Sequence, residues 1–269
     1  MLVDNHNHTP LCNHAEGEPP EFVERAIALG IAEIGFSEHS PWMIQKAEEK
    51  LAPTDEEFAH FVHSIQLLQR RYNKSRWSPI RVRLGIEMDY VPDRMDRARE
   101  YVDKYPWDYI IGSIHHLDFW GFDNPAYVGE FDRRDIDKVY EQYFSKIEEL
   151  AAMGLFDIVG HLDAIKKFGH RPSYDLQPLY QRLALALKRA DLVVELNTSG
   201  LDKEAREFYP ARPLLEVLAA QGVPLTLGSD AHKPDQVGRY FDEARRLLLN
   251  IGVREIVAFQ KRHRRLVPL

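Results

Sequence analysis

Seven of the twelve histidines in this 269-residue chain lie in its first loop or at the ends of short apolar runs. The stretch DNHNHTPLCNH, residues 4–14, contains three of them together with the only cysteine, Cys12. Imidazole and carboxylate ligands together suit zinc, iron or manganese. A zinc finger or ribbon needs several cysteines, so this chain cannot form one. The stretch therefore needs partners from elsewhere in the chain if it is to bind a metal.

Nine ionisable side chains form the candidate ligand set: His6, His8, His14, His39, Glu87, His115, His161, Asp230 and His232. A single histidine or carboxylate at a strand end is more often a hydrogen-bonded residue of the core or its rim. Because so many of them share this position, a metal-binding role is favoured for the whole set. A catalytic zinc takes about three protein ligands plus water, so nine indicate two or three ions. A carboxylate such as Glu87 can bridge two ions, and clustered ions hydrolyse phosphoesters.

Short apolar runs alternate with amphipathic stretches along the whole chain. The predicted strands are 2–6, 33–39, 82–88, 109–115, 156–161, 192–197 and 224–230, and they are rich in Val, Ile and Leu. The predicted helices are 21–29, 54–72, 135–152, 176–190, 214–221 and about 243–250, and Thr54 with Glu57 forms a capping box. Residues 121–134 are predicted to be a loop. This alternation indicates a mostly parallel sheet, open or closed into a barrel, whose strands all end at one face.

The composition bounds the class of protein. With no repeat or linker, residues 1–269 are expected to form a single domain. No apolar run approaches the roughly 20 residues of a membrane span, and the N-terminus lacks the pattern of a signal peptide, so we expect a cytoplasmic protein without a membrane partner. The formal net charge of −7 argues against a nucleic-acid partner.

The motifs at the strand ends resemble those of the polymerase and histidinol phosphatase (PHP) superfamily. They are HNH at residues 6–8, SEHS around His39, GIE ending at Glu87, SIH ending at His115, GHLD at His161 and GSDAH around Asp230 and His232. The stretches TPLCNHAEG, KKFGHR and NTSGL resemble the histidinol-phosphate phosphatase branch of that superfamily. The resemblance covers the chain from end to end and implies a distorted (β/α)7 barrel with the active site at the C-terminal ends of its strands.

The resemblance also implies a trinuclear site for three divalent ions of zinc, iron or manganese. The implied ligand groups are His6, His8, Glu87 and Asp230 for one ion, Glu87, His115 and His161 for a second, and His14, His39 and His232 for a third. Of these ligands, Glu87, Asp230 and His232 are also predicted to be catalytic. The expected reaction is hydrolysis of L-histidinol phosphate to L-histidinol and phosphate by a metal-activated hydroxide. Asp4, Glu38 and Asp163 stand beside ligands and are candidates to orient their imidazoles.

Arginine is the favoured partner of a phosphate because its fork binds two oxygens. Arg171 and Arg206 follow the fifth and sixth strands and are the predicted phosphate contacts, with Lys166 and Lys167 as rivals. The imidazole and ammonium of the substrate require an aromatic or acidic wall. The candidates for that wall are Trp42, Glu16 and Phe168.

The sequence leaves three alternative functions open. One is a PHP phosphoesterase acting on another small phosphomonoester or a nucleotide. Another is an amidohydrolase-like metal hydrolase, but such sites commonly carry a bridging modified lysine and no predicted strand ends in lysine. The third is a metal-binding protein without catalytic activity.

Overall fold

The computed structural model describes residues 1–43 and 50–269. Seven parallel strands form one sheet in which neighbours in space follow the order of the chain. They are β1 (Val3–Asp4), β2 (Glu33–His39), β3 (Arg81–Asp89), β4 (Tyr109–Ser113), β5 (Ile158–Val159), β6 (Val193–Asn197) and β7 (Leu225–Gly228). All seven correspond to predicted strands, although β1 and β5 have only two residues each and β4, β6 and β7 are also shorter than predicted.

Hydrogen bonds join the first and last strands, so the sheet is nearly closed. The backbone N–H of Asn5 donates to the carbonyl oxygen of Leu227 at 3.1 Å. Beyond the strand ends, the N–H of His8 donates to the carbonyl oxygen of Ala231 at 2.9 Å, and that of Ala231 donates to the carbonyl oxygen of His6 at 3.2 Å. The predicted distorted (β/α)7 barrel is therefore confirmed, and the strand ends meet at one face.

Seven α-helices are found among the described residues. They are α1 (Pro19–Ala28), α2 (Asp55–Tyr72), α3 (Met95–Lys104), α4 (Ile136–Ala152), α5 (Gln177–Arg189), α6 (Arg212–Gln221) and α7 (Phe241–Asn250). The predicted capping box is present: Thr54 Oγ1 accepts from the N–H of Glu57 at 3.2 Å, and the Glu57 carboxylate accepts from the N–H of Thr54 at 2.8 Å. Helix α3 was not predicted, because only Met95, Ala98 and Tyr101 are buried in an otherwise charged segment.

The segment predicted as a loop is more ordered than expected. A small antiparallel pair, His116–Leu117 with Trp120–Gly121, precedes a 3-10 segment at Pro125–Arg133. The buried ring of Phe131 lies 4.7 Å from that of Trp120, between ring centroids. Among the described residues, no helix combines the length and the apolar character that crossing a membrane requires. The single-domain organisation of residues 1–269 stays a prediction.

A C-terminal hairpin, Glu255–Gln260 with His263–Pro268, covers the amino ends of the barrel strands. Its side chains Val257 and Phe259 pack in one buried cluster with residues at the start of β4, β5 and β6, namely Tyr109, Ile111, Ile158 and Val193. The basic run at 261–266 belongs to this hairpin. Its arginines pair with acidic residues of the barrel: Arg262 with Asp157, Arg264 with Asp191 and Arg265 with Glu33.

Candidate metal centre

The carboxylate of Glu87, at the end of β3, lies at the centre of the candidate ligands. Its Oε2 atom is 2.8 Å from Nδ1 of His39, and 3.5 and 3.7 Å from Nε2 of His6 and His8. Its Oε1 atom is 2.8 Å from Nε2 of His161. The side chain is 1% exposed, so both oxygens face ligands rather than solvent. This is the arrangement that a carboxylate bridging two ions requires.

The other candidate ligands form three further groupings around Glu87. His115 Nε2 lies 3.5 Å from Glu87 Oε1 and 3.2 Å from His161 Nε2. Asp230 Oδ1 lies 3.3 Å from His8 Nε2 and 3.9 Å from His6 Nε2. The ligand nitrogens of His8, His39 and His232 lie within 4.8 Å of one another. The structure thus brings all nine predicted ligands to one face of the barrel.

His14 and His232 meet in a geometry that two neutral imidazoles do not favour. Nδ1 of His14 is 2.6 Å from the carbonyl oxygen of Cys12, and Nδ1 of His232 is 3.0 Å from that of Asp230. A carbonyl oxygen only accepts, so each Nδ1 carries the proton and each Nε2 carries a lone pair. The two Nε2 atoms are 3.0 Å apart. A cation between them removes the repulsion, which is what a metal ion would do.

The protonation preferences support a cation at this pair. Burial, and then the charges of His39 and His8, lower the pKa of His14 to about 4. Burial and His8 lower the pKa of His232 well below its usual value. A shared proton is therefore a poor substitute for a metal ion near neutral pH. A histidine ligand must be a neutral imidazole, and the lowered pKa of both side chains favours that form.

Unpaired buried atoms give a second test of whether the residues fit a metal. His6 Nε2, His8 Nε2 and Glu87 Oε2 are buried and accept or donate no well-aligned hydrogen bond among the described residues, even though His39 Nδ1 lies 2.8 Å from Glu87 Oε2. Such unsatisfied groups are costly in a protein interior unless something else pairs with them. All three point at the same cluster, and all three atoms are metal-ligand types. The residues present therefore fit a metal cluster.

Electrostatics in the cluster follow from buried carboxylates that require positive partners. Burial alone would raise the pKa of Glu87, but His6, His115 and His39 outweigh it and lower that pKa well below its usual value. Burial opposes protonation of His6, yet Glu195, Glu87 and Asp230 raise its pKa well above the usual value. The buried carboxylates of the cluster are therefore stabilised by positive charge, which either protons on the histidines or metal ions can supply.

Buried carboxylates orient several of the imidazoles through Nδ1, which leaves Nε2 free to ligate. Glu195 Oε1 lies 2.7 Å from His6 Nδ1, and Asp89 Oδ1 lies 2.6 Å from His115 Nδ1. Neither carboxylate was predicted to act here, because Glu195 looks like an interior residue of an apolar strand and Asp89 follows a recognised ligand by two positions. A Cβ at Gly228 would lie 1.8 Å from Glu195 Oε1, so glycine makes room for this carboxylate.

The three predicted orienting residues have different surroundings. Glu38 Oε1 lies 3.4 Å from Nδ1 of His8, and Glu38 also accepts from the N–H of Thr9 at 2.8 Å. Asp4 instead accepts from the N–H and hydroxyl of Ser229, at 2.9 and 2.6 Å, and so positions the backbone before Asp230. Asp163 pairs with Lys166 at 2.9 Å. Only Glu38 is in place to orient a ligand ring directly.

A cavity of about 300 Å³ opens beside the cluster. The candidate ligands in its wall are His14, His39, Glu87, His115, His161, Asp230 and His232. The cationic side chains in its wall are Lys167, Lys203, Lys233 and Arg239, of which only Lys167 was named from the sequence. Asp123 and Tyr209 also line it and were not anticipated, because the segments around them carry no periodic signal.

The predicted substrate contacts lie outside the lining of this cavity. Arg171 donates to Glu207 at 3.1 Å, and Arg206 donates to the carbonyl oxygen of Leu201 at 3.4 Å. Trp42 is 1% exposed and packs on Tyr101, with ring centroids 4.9 Å apart.

Two further candidates are held by neighbours rather than facing the cavity directly. Glu16 forms an ion pair of 2.9 Å with Lys233, which itself lines the cavity. Phe168 packs near Phe131, with ring centroids 6.3 Å apart. The roles of Arg171, Arg206, Trp42 and Glu16 in substrate binding stay predictions that no contact here supports.

Comparison with known proteins places the chain in a family. The family model described as PHP domain matches residues 4–199. A Deinococcus radiodurans relative named "Probable histidinol-phosphatase" is 38% identical, over 99% of each chain. The chain therefore belongs to the PHP domain family, which confirms the resemblance seen in its motifs.

More distant relatives agree in name and fold. The Bacillus subtilis protein named histidinol-phosphatase is 26% identical, over 89% of this chain and 96% of its own. The fold matches a crystal structure of histidinol phosphate phosphatase from Lactococcus lactis, which is complexed with zinc, L-histidinol and phosphate. The TM-score is 0.82 over 98% of each chain, and the two sequences are 21% identical. At that identity the likeness concerns the fold.

Proposed function

We propose that this chain is a metal-dependent phosphomonoesterase that hydrolyses L-histidinol phosphate to L-histidinol and inorganic phosphate. The observation that carries the proposal is the Glu87 carboxylate, whose two buried oxygens each face histidine ligands. The names of the relatives from Deinococcus radiodurans and Bacillus subtilis supply the substrate. The nine candidate ligands would hold up to three divalent ions of zinc, iron or manganese, the types that suit imidazole and carboxylate.

Such ions supply Lewis acidity, because they lower the pKa of water and neutralise phosphoryl oxygens. The protein's own residues do the remaining work. Glu195 and Asp89 hold His6 and His115 with Nε2 turned toward the centre. Asp230 is itself held by the hydroxyl of Ser199, at 3.2 Å. The site is thus preorganised before substrate arrives, and little reorganisation is needed during reaction.

The cavity wall also suits a phosphomonoester with a cationic leaving group. Its lysines and Arg239 supply positive charge for phosphoryl oxygens, and Asp123 supplies one carboxylate beyond the ligand set. Lys167 Nζ donates to the carbonyl oxygen of Asp123 at 2.6 Å and lies 3.6 Å from its carboxylate, so the two side chains are held side by side. No side-chain nucleophile is required for direct attack by water.

A substrate panel tests the proposal. Phosphate release is measured from histidinol phosphate, a nucleoside monophosphate and a sugar phosphate, with the protein loaded in turn with zinc, iron(II) or manganese. We expect histidinol phosphate to be hydrolysed much faster than the others. Equally slow release from all three would remove the substrate assignment but keep a general phosphomonoesterase. No release from any would favour a metal-binding protein without catalytic activity.

Measuring the metal content of the same protein preparation tests how many ions the candidate ligands bind. We expect close to three ions per chain in metal-loaded protein. A single ion per chain would contradict the trinuclear arrangement, because Glu87 would then have no second ion to bridge.

A further inference from the structure

Tyr209, a residue of the cavity wall, has a buried hydroxyl. Tyr209 is 3% exposed and lines the cavity, and its hydroxyl has no hydrogen-bond partner among the described residues. Its backbone is fixed to the end of β6, because the N–H of Asn197 donates to the carbonyl oxygen of Tyr209 at 2.7 Å. The N–H of Tyr209 in turn donates to the carbonyl oxygen of Asn197 at 3.0 Å. A Cβ at Gly200 would lie 2.9 Å from the Tyr209 ring, so the ring packs directly on that backbone.

The same loop contains Lys203, whose ammonium is unpaired among residues 1–43 and 50–269. Arg239 is engaged by Asp202 at 2.8 Å, Lys233 by Glu16 at 2.9 Å, and Lys167 by the carbonyl oxygen of Asp123. Lys203 lines the cavity with them, but its ammonium has no hydrogen bond or ion pair among the described residues. An ammonium in a wall that already holds three other cations is available for an anion.

Charges of both signs surround Lys203. Burial, and then the positive charge of Lys167, lower the pKa of Lys203, and Arg239 adds to this effect, while the carboxylates of Asp230 and Asp202 oppose it. An anion placed among these groups would relieve the repulsion and favour the charged ammonium. Two residues of this loop therefore line the space beside the candidate metal ligands, Lys203 with an ammonium and Tyr209 with a hydroxyl that have no partner within the described part of the chain.

We propose that Lys203 and Tyr209 form the oxyanion-contacting wall of the active site, where the Lys203 ammonium and the Tyr209 hydroxyl donate to phosphoryl oxygens of the substrate. This inference rests on the proposed phosphomonoesterase function and names the side chains that select a phosphorylated substrate over its alcohol product. It assigns to Lys203 the contact that the sequence suggested for Arg171 and Arg206.

Binding of inorganic phosphate to metal-loaded protein, followed by calorimetry, tests this without turnover. Because a hydrogen bond to a charged group is strong, we expect Lys203→Met to weaken phosphate binding about 10-fold or more. Lys203→Arg should retain most of the affinity. Tyr209→Phe should weaken phosphate binding several-fold, while binding of histidinol, which has no phosphate, stays as in the wild type for every variant.

Two control variants distinguish the loss of a direct phosphate contact from a general disturbance of the fold. Lys138→Met removes an exposed lysine of α4, and Tyr105→Phe removes another hydroxyl that lacks a partner but lies outside the cavity lining. Both should bind phosphate normally. Metal content is measured for each protein, and a Lys203→Met variant that loses metal along with phosphate would overturn the direct contact.

Two further outcomes bear on the proposal. Unchanged phosphate affinity in Lys203→Met would overturn it, and so would a metal-loaded wild type that binds no phosphate. A wild type that binds phosphate through Lys203 but does not hydrolyse histidinol phosphate would support this inference while the proposed substrate fails.

Discussion

The Nδ1 atom of His6 lies 2.7 Å from the Oε1 atom of Glu195, although 189 positions separate the two residues in the chain. The contact joins β6 to the loop after β1 inside the barrel. Glu195 Oε2 also accepts from the backbone N–H of His161 at 2.7 Å. One buried carboxylate therefore positions two candidate ligands that belong to different metal groups.

Replacing Glu195 with Gln should weaken metal binding or activity by about 10- to 100-fold, the usual effect of losing a ligand's supporting carboxylate. The amide keeps the size of the side chain but loses the charge that orients His6. The measurement is a metal titration of the chelated protein together with phosphate release. The exposed Glu204→Gln variant is the control, and equal metal affinity in the two variants would contradict the role of Glu195.

Replacing Glu87 with Gln should reduce phosphate release to background, because a single carboxylate serves two groups of histidines. A neutral amide is a weaker ligand and cannot offer two anionic oxygens. Turnover and metal content are measured together, with the exposed Glu100→Gln variant of α3 as control. Retained turnover in Glu87→Gln would refute the bridge.

Much of the site could be predicted from the sequence, for a physical reason. Parallel strands all end at one face, so ionisable residues at strand ends must converge. Together with the first loop, which contains His14, these strand ends contain all nine candidate ligands, from His6 to His232. The sequence also predicted the barrel, since buried parallel strands leave nearly continuous apolar runs.

The residues that orient the ligands and those that line the cavity could not be predicted from their position at strand ends. Glu195 and Asp89 were missed because a carboxylate inside a strand carries no mark of the imidazole it faces. Arg171 and Arg206 follow the correct strands, but their side chains turn to Glu207 and a backbone carbonyl instead of the cavity. The direction of a loop side chain depends on neighbours that sequence spacing does not specify.

Removing metal with a chelator should lower the melting temperature by about 5–15 °C, the effect of losing a ligand held far above its dissociation constant. The reason is that unpaired ligand atoms remain buried when the ions leave. Scanning calorimetry measures the shift, and added zinc or manganese should reverse it. An unchanged melting temperature would contradict a structural contribution from the metals.

The pair of His14 and His232 allows a sharper version of that experiment. Because their Nε2 lone pairs face each other at 3.0 Å, His14→Ala should leave metal-free protein as stable as the wild type, or more stable. In metal-loaded protein the same change should lower stability, because a ligand is lost. Parallel melting curves with and without chelator give the comparison, and equal destabilisation in both states would refute the repulsion.

Cys12 should resist alkylation in the folded protein. Its side chain is fully buried, its thiol donates to the carbonyl oxygen of Thr9 at 3.2 Å, and burial raises its pKa. The reactive thiolate is therefore scarce and inaccessible. Mass spectrometry after iodoacetamide treatment should find little labelling in native protein and full labelling in urea. Rapid labelling of native protein would show that the first loop opens.

The C-terminal hairpin should contribute to stability without contributing ligands. Phe259 is 2% exposed and its ring centroid lies 6.0 Å from that of Tyr109 at the amino end of the barrel. Phe259→Ala should lower the free energy of unfolding by about 3–5 kcal/mol, through lost burial and the cavity left behind. Urea denaturation measures this change.

Leu266→Ala on the same hairpin is the matched control for Phe259→Ala. Leu266 is 61% exposed, so its removal should change the free energy of unfolding by less than about 0.5 kcal/mol. Metal content should match the wild type in both variants, because neither side chain belongs to the ligand cluster. Equal destabilisation by the two substitutions would mean that the hairpin, and not the buried contact of Phe259, determines the effect.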